Sequence, residues 1–262
     1  MVIRLSPDAP AVEELTAFGH ELADAARAIA LSYFRTPIGF ERKPDLSPVT
    51  IADQTIERAL RDRIAARYPR HGVIGEEMGR TPGERFTWYL DPIDGTKSFI
   101  TGMPLFGVLI ALADGERATF GVIEMPSLGE RWLGTAAGAL FNGAPARVSA
   151  VTELAQAQIY TSSPDFFTRD DWERYDALSR RCLFRRFGGD CYQYGLLASG
   201  HCDLVVEASL KPFDYMALIP VVEGAGGLIR DWRGRELDPS CDGRVVAAAT
   251  PELMQQALEA LE

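Results

Sequence analysis

The sequence lacks the cysteine and histidine patterns of a zinc protein or a disulfide-stabilised domain. Its four cysteines form no CxxC pair and all lie in the C-terminal third of the 262 residues, and its three histidines are scattered. Cysteines and histidines would have to recur at short, regular spacings to ligate zinc, and cysteines would have to do so to build a disulfide framework. We therefore expect reduced thiols, used as small core side chains, at Cys182, Cys191, Cys202 and Cys241.

Long apolar runs and clusters of basic residues are also missing. No stretch approaches the length of a membrane span, and the residues after Met1 lack the charged start and apolar run of a secretory signal. The net charge of −10 disfavours binding to nucleic acid or to anionic membranes. These absences predict a cytoplasmic protein without nucleic-acid or membrane partners, in which an anionic substrate needs locally bound cations.

The composition is that of an ordinary globular protein, 47% hydrophobic and 24% charged, and the length allows one large core or two joined lobes. Residues 1–150 have the pattern of two helices followed by mostly antiparallel strands. Residues 151–262 have the pattern of strands alternating with helices. We therefore expect an α/β protein with an N-terminal α+β lobe and a C-terminal α/β lobe.

Local signals locate the first helix and the loop after it. Ser6 and Pro7 are typical of an N-cap and a first helical position, and apolar residues then recur at helical spacing to about Phe34. Residues 36–48 contain three prolines and a glycine, which predicts a loop.

A second helix is predicted from Thr50. Thr50 is suited to be its N-cap, and Asp53 lies at the third helical position, where a capping-box partner contributes about 1 kcal/mol. A functional role for the Asp53 carboxylate competes with that interpretation.

The most informative segment is an apolar, aromatic strand that ends in two carboxylates, Asp91 and Asp94. Buried carboxylates cost several kcal/mol each unless a cation or strong hydrogen bonds neutralise them. Mg²⁺ prefers oxygen ligands, so these aspartates and the carbonyl of Ile93 make a candidate half of a magnesium site. The amides of Gly95 and Thr96, at the start of a helical turn, are suited to phosphate. An ordinary Asp-Pro and Asp-Gly turn is the alternative for this segment taken alone.

Two more acids lie at junctions between regular elements and loops, where rigid scaffolds present chemistry. Glu76 follows a short predicted strand, and Asp214 lies in the first turn of a helix predicted over residues 213–223. Interaction with the helix dipole, about 0.3–1 kcal/mol, would explain Asp214 alone. Four junction acids together favour a shared cation site.

These motifs resemble the inositol monophosphatase superfamily of magnesium-dependent, lithium-sensitive phosphatases. The resemblance rests on Gly75-Glu76-Glu77, on residues 91–96 and on a late acid opening a helix that ends in Gly-Ala-Gly-Gly, and it covers nearly the whole chain. It implies a layered αβαβα sandwich in which the first lobe carries most metal ligands. Phe213 departs from the tryptophan that many members have before the late aspartate, but the aspartate itself is kept.

Within the superfamily, residues 94–102, 186–192 and 210–215 resemble the histidinol-phosphate phosphatase branch. Inositol monophosphatases more often differ at Lys97, whereas bisphosphate nucleotidases also carry a lysine there. The resemblance implies hydrolysis of L-histidinol phosphate in histidine biosynthesis, by a homodimer. Inositol-1-phosphate and adenosine bisphosphate hydrolysis stay open, as does a phosphate-binding regulatory protein without catalysis.

The resemblance also implies a role for each acid. It implies two or three Mg²⁺ ions: one on Glu76, Asp91 and the Ile93 carbonyl, a second on Asp91, Asp94 and Asp214, and a weaker third touching Glu76. Two such cations clamp an in-line displacement at phosphorus. Thr96, paired with Asp53, would orient the attacking water and help to deprotonate it, and the amides of Gly95 and Thr96 would bind phosphate oxygens.

Specificity must come from residues that face the rest of the substrate. Lys43, in the polar loop, is a candidate to close over the site, although such a lysine is often merely solvated. The ammonium and imidazole of histidinol phosphate require carboxylates, and Asp190 and Glu207 are the candidates. Glu207 matches a substrate-contacting acid of the family pattern, and Asp214 borders the same pocket. Asp190 has an alternative role as the cap of the following helix.

Overall fold

The computed structural model describes residues 10–42 and 48–262, and β-sheets organise this part of the chain. The helices are α1 (Val12–Tyr33), α2 (Ile51–Arg67), α3 (Thr96–Thr101), α4 (Arg169–Ser179), α5 (Tyr192–Ala198), α6 (Pro212–Tyr215), α7 (Leu218–Gly224) and α8 (Pro251–Leu261). The strands are β1 (Phe40–Arg42), β2 (Pro48–Thr50), β3 (Gly72–Gly75), β4 (Gly79–Thr81), β5 (Phe86–Asp94), β6 (Gly107–Asp114), β7 (Arg117–Met125), β8 (Glu130–Thr135), β9 (Gly138–Phe141), β10 (Ala144–Pro145), β11 (Gln158–Thr161), β12 (Phe184–Phe187), β13 (Leu204–Glu207), β14 (Leu228–Asp231) and β15 (Val245–Ala248).

The larger sheet has eight strands in the order β10-β9-β8-β7-β6-β5-β3-β4. Its neighbouring strands are antiparallel except β3 and β5, which run parallel. The smaller sheet has five strands in the order β12-β11-β13-β15-β14. Its first three strands are parallel, and β15 and β14 complete it in antiparallel fashion.

Three apolar clusters join these sheets and the helices into five layers. The first lies between one face of the eight-stranded sheet and the helices α1 and α2, and it combines Leu22 and Ile56 with Trp88 and Phe120. The second fills the space between the two sheets and includes α5, α6 and α7. The third packs the outer face of the smaller sheet on α4 and α8. The predicted α/β class and the layered αβαβα arrangement are confirmed.

The second helix begins as predicted. Thr50 is the N-cap of α2, and Asp53 completes a capping box with it. The predicted start of the first helix at Ser6 and Pro7 lies outside the described residues, and α1 begins at Val12 and ends at Tyr33.

Two predicted elements are wrong in detail. The loop over residues 36–48 contains strand β1, which pairs antiparallel with β2. The single helix over residues 213–223 is two short helices, α6 and α7. Pro220 explains this break, because its ring nitrogen has no hydrogen to donate to a preceding turn. A proline is tolerated in the first turn of a new helix but not inside a continuous one.

The proposed division between residues 150 and 151 stays a prediction. Strand β10 ends the larger sheet at Pro145 and β11 enters the smaller sheet at Gln158, yet one apolar cluster contains residues of both sheets. None of the described helices is long and apolar enough to cross a membrane.

Close approach of α7 to the larger sheet depends on a glycine. A Cβ atom on Gly134 of β8 would overlap the backbone of Pro220 and Val221. We expect Gly134→Ala to lower the free energy of unfolding by about 2–3 kcal/mol, because the helix must move away from the sheet. Urea denaturation measures this loss. Gly39→Ala is the matched control, because a Cβ there meets no atom within 4 Å; equal stability of the two variants would contradict the prediction.

Candidate active site

Strand β5 presents the first two acids of the candidate site. Residues three apart point to opposite faces of a regular strand, but the pairing of β5 with β6 shifts register between Asp91 and Asp94. Such an irregularity re-aims side chains at functional sites. Asp91 is only 2% exposed, and its Oδ1 accepts a hydrogen bond from the amide of Ile93 at 3.1 Å.

Glu76 reaches the same place from the neighbouring strand. It follows β3, and its amide donates to the carbonyl of Leu90 in β5 at 3.2 Å. The carboxyl ends of parallel neighbours lie at one edge of a sheet, so Glu76 comes beside Asp91. Burial and the neighbouring charge of Glu76 raise the pKa of Asp91.

Asp214 arrives from the second half of the chain. Helix α6 packs against β5 and β6, and Asp214 Oδ2 accepts from the amide of Lys211 at 2.7 Å. The four acids are close enough to influence one another. Burial, followed by the charges of Glu76, Asp94 and Asp214, raises the pKa of Asp91 well above its usual range. Burial and the charge of Asp94 likewise raise the pKa of Asp214.

The chemistry of these donors fits a hard divalent cation. All are carboxylates, the ligand type that Mg²⁺ prefers, and burial of several like charges requires a counter-charge. Within residues 10–42 and 48–262, no three acidic, histidine or cysteine side chains already form a complete metal site.

Asp53 is buried and only partly hydrogen-bonded. Its Oδ2 accepts from the amide and the hydroxyl of Thr50, at 2.8 and 2.6 Å, whereas Oδ1 has no hydrogen-bond partner in the described part of the chain. Burial raises the pKa of Asp53 to about 6, and the charge of Glu76 adds to this rise. The orphaned oxygen suits an acceptor for a proton.

Thr96 is the first residue of α3, and Gly95 before it has a left-handed backbone with φ 81°. The Thr96 hydroxyl donates to the carbonyl of Ile93 at 3.0 Å, so its proton is not shared with Asp53 in this structure. The predicted pairing of Thr96 with Asp53 therefore needs a rotation of that hydroxyl, and the roles of both residues stay predictions.

Asp190 lies against this turn. A Cβ at Gly95 would lie 2.7 Å from Asp190 Oδ2, and Asp190 itself has a left-handed backbone with φ 46°. Burial, then the charges of Asp94 and Glu207, raise the pKa of Asp190 to about 8, while Lys97 opposes the rise. Uncommon backbone conformations of this kind are concentrated at functional sites.

Glu207 is 1% exposed, and its carboxylate accepts hydrogen bonds from other residues of this chain. Its Oε1 accepts from the amide and hydroxyl of Ser162, at 2.7 and 2.6 Å, and from the Gln193 amide. Burial raises its pKa to about 7. These contacts place Glu207 beneath Ser162 and Gln193, so its predicted contact with substrate stays a prediction.

Sequence reasoning missed the partner of Asp94 and the partners of Glu207. The amide of Cys191 donates to Asp94 Oδ2, and burial beside Asp94 raises the pKa of the Cys191 thiol. No spacing rule marks Cys191, Ser162 or Gln193, because tertiary packing alone brings them to the acids. Lys43 lies outside the described residues.

The chain is similar to a known protein family over nearly its whole length. The model of the inositol monophosphatase family matches residues 11–262. The chain belongs to that family. Its members are metal-dependent phosphatases, typically using Mg²⁺, so the chain is a hydrolase of the phosphomonoesterase class. The resemblance found in the sequence is confirmed.

Relatives within the inositol monophosphatase family carry more than one name. The chain is 43% identical to the chloroplastic bifunctional phosphatase IMPL2 of Arabidopsis thaliana, over 96% of this chain and 76% of that protein. It is 39% identical to the histidinol-phosphatase of Chlorobaculum parvum, over 87% of this chain and 89% of that one. An inositol monophosphatase structure from Zymomonas mobilis superposes with a TM-score of 0.88 at 42% identity, covering 97% of this chain and 99% of that one.

Proposed function

We propose that the protein is a Mg²⁺-dependent histidinol-phosphatase, which hydrolyses L-histidinol phosphate to L-histidinol and phosphate. The observation that carries the proposal is the position of Asp190, a half-buried carboxyl group beside Gly95 and therefore beside the metal-type acids. A substrate with a phosphate at one end and an ammonium and imidazole at the other fits such a site. The histidinol-phosphatase named among the relatives supports the same substrate.

Different residues of this chain would have different roles in the proposed reaction. Bound Mg²⁺ ions, held by Glu76, Asp91, the Ile93 carbonyl, Asp94 and Asp214, would neutralise phosphate charge and make water more acidic. The orphaned oxygen of Asp53 would accept the proton of the attacking water, and the Thr96 hydroxyl would orient that water. The amides of Gly95 and Thr96 would hold phosphate oxygens.

The cationic end of the substrate would lie against Asp190. Burial and neighbouring acids raise the pKa of Asp190 to about 8 in the metal-free chain, which favours its protonated form near neutral pH. An incoming ammonium or imidazolium would stabilise its ionised form and form a charged hydrogen bond. An inositol ring has no such charge, so the pair would discriminate between the two substrates.

Phosphate release by the purified protein tests the proposal. Histidinol phosphate, inositol-1-phosphate and adenosine 3′,5′-bisphosphate are compared with Mg²⁺, and with EDTA as control. We expect activity to vanish in EDTA and kcat/KM to favour histidinol phosphate by about a hundredfold, roughly 2.7 kcal/mol. A preference for either other substrate would contradict the histidinol-phosphatase proposal, and no release from any would favour a phosphate-binding regulatory protein.

The pocket role of Asp190 leads to a specific prediction. We expect Asp190→Asn to lower kcat/KM for histidinol phosphate about 30-fold, the effect of losing a hydrogen bond to a charged group of ~2 kcal/mol. An aryl phosphate without a cation should lose less than about threefold. Asparagine tolerates the left-handed backbone of this position, so the fold is kept.

Asp165→Asn is the control for Asp190→Asn, because Asp165 is an exposed acid of the same half of the chain. It should leave both substrates unaffected. Equal losses on both substrates in Asp190→Asn would assign Asp190 to the scaffold instead of the pocket.

A further inference from the structure

Helix α2 carries a second buried acid one turn after Asp53. Glu57 is 0% exposed, and it lies four residues after Asp53, on the same face of the helix. A charged side chain in the middle of a helix does not cap that helix, and burying it costs free energy unless other groups satisfy it. Its partners therefore indicate what it does.

The partners of Glu57 are in the turn that follows Glu76. One carboxylate oxygen, Oε2, accepts from the amide of Glu77 at 2.7 Å, and the other, Oε1, accepts from the amide of Met78 at 3.1 Å. Both amides belong to the residues directly after Glu76. Glu57 thus fixes the backbone of the turn on the C-terminal side of a candidate metal ligand.

Arg61, one further turn along α2, completes this clamp. Its Nε donates to Glu57 Oε1 at 2.7 Å, and its Nη1 donates to the Thr81 hydroxyl at 2.9 Å, beyond the turn in β4. The Arg61 guanidinium neutralises the buried carboxylate and also holds the second strand of the hairpin. The turn after Glu76 and the strand that follows it are therefore both tied to α2.

The approach of Glu57 to this turn is close enough to require a glycine. A Cβ atom on Gly75, the residue before Glu76, would overlap the carboxylate of Glu57. The backbone of residues 75–78 thus packs directly on the Glu57 side chain. Glu76 is held to β5 by its own amide, so Leu90 and Glu57 together fix the backbone from which the Glu76 side chain extends.

We propose that Glu57 is a positioning residue for Glu76, acting through the turn amides, and that it sets the affinity of the site for Mg²⁺. This inference rests on the metal site of the proposed function. Groups that orient metal ligands without touching the metal typically change metal affinity by 10–100-fold when they are replaced. Glu57 has that position, because its carboxylate holds the amides of the two residues that directly follow Glu76.

Titration calorimetry of the metal-free full chain with Mg²⁺ tests the proposal without relying on activity. In Glu57→Gln, one of the two turn amides would face an NH₂ group in place of an acceptor oxygen. We expect the Kd for Mg²⁺ to rise at least tenfold. In activity assays, the Mg²⁺ concentration for half-maximal rate should rise by the same factor, while kcat at saturating Mg²⁺ should stay within about threefold of wild type.

A control separates positioning from general loss of stability. Asp203 is also a buried acid that accepts a backbone hydrogen bond, from the amide of Gln158 at 2.8 Å in the smaller sheet. Asp203→Asn should lower the unfolding midpoint without changing the Kd for Mg²⁺. Gly75→Ala is the second test of the clamp, because its methyl group displaces the flexible end of Glu57, and it should weaken Mg²⁺ binding as Glu57→Gln does.

The possible results separate the existence of the metal site from the positioning role of Glu57. Wild-type protein that binds no Mg²⁺ would refute the proposed metal site itself. Wild-type binding with an unchanged Kd in folded Glu57→Gln would refute the positioning role, and so would an equal loss in Asp203→Asn. If Glu57→Gln does not fold, an unchanged Kd in Gly75→Ala overturns the inference and a tenfold rise supports it.

Discussion

Asp91→Asn is expected to lower kcat/KM for phosphate release by about 10³-fold or more, which corresponds to ~4 kcal/mol of transition-state stabilisation. Asp91 is the most central acid of the cluster, since its pKa is raised by Glu76, Asp94 and Asp214 in addition to burial. It is also the ligand that the family resemblance assigns to both ions. Loss of its charge should therefore weaken binding of the whole metal set.

The same substitution is expected to stabilise the metal-free protein. A carboxyl group whose pKa is raised on folding favours the folded state less and less as the pH rises above its unfolded value near 4. At pH 7.5 the carboxyl of the unfolded chain is ionised, so the raised pKa of Asp91 in the folded state lowers the stability of the metal-free fold. An asparagine at this position has no ionisable group and keeps an acceptor for the amide of Ile93, so the melting temperature without metal should rise by roughly a few degrees.

Asp231→Asn is the control for this experiment. Asp231 is a buried acid in β14 whose Oδ1 accepts from the amides of Arg233 and Arg235, at 2.9 and 2.8 Å. Its replacement should lower the unfolding free energy by about 1 kcal/mol and leave turnover unchanged. An active Asp91→Asn variant at millimolar Mg²⁺ would contradict the role of Asp91 as a shared ligand.

Asp53→Asn is expected to lower kcat by about 10²–10³-fold, within the range of a lost general base. An amide cannot take a proton from water, although it can still accept the hydrogen bond from the amide of Thr50. The Kd for Mg²⁺ should stay within about threefold, because Asp53 is not one of the proposed ligands. Steady-state kinetics and calorimetry on the same preparation measure the two effects.

The capping role of Asp53 needs its own control, and the chain offers a close match. Asp171 lies at the third position of α4, as Asp53 does in α2, and its carboxylate accepts from the hydroxyl of the N-cap Thr168 at 2.8 Å. Asp171→Asn should cost about 1 kcal/mol of stability, as should the capping part of Asp53→Asn. If Asp53→Asn lowers kcat no more than Asp171→Asn does, Asp53 is a helix cap and not a general base.

Local sequence patterns predict the elements whose defining residues are close together in the chain. The capping box at Thr50 and Asp53 was predictable because its partners are three residues apart, and the strand beginning at Phe86 was predictable from its apolar run, although it continues past the predicted end at Leu90 to Asp94. The short strands β4, β9 and β10 were not, since segments of two to four residues form strands only because a neighbour pairs with them. Pro220 is a local signal for the break between α6 and α7.

Local sequence specifies the chemistry of this protein: which acids are present, the turn that spaces Asp91 from Asp94, and the family to which the chain belongs. These features depend on neighbours within a few residues. The tertiary structure alone decided which groups act on those acids. Asp214, Cys191 and Glu57 reach the site through sheet pairing and helix packing, contacts between residues far apart in the chain, which no local pattern records.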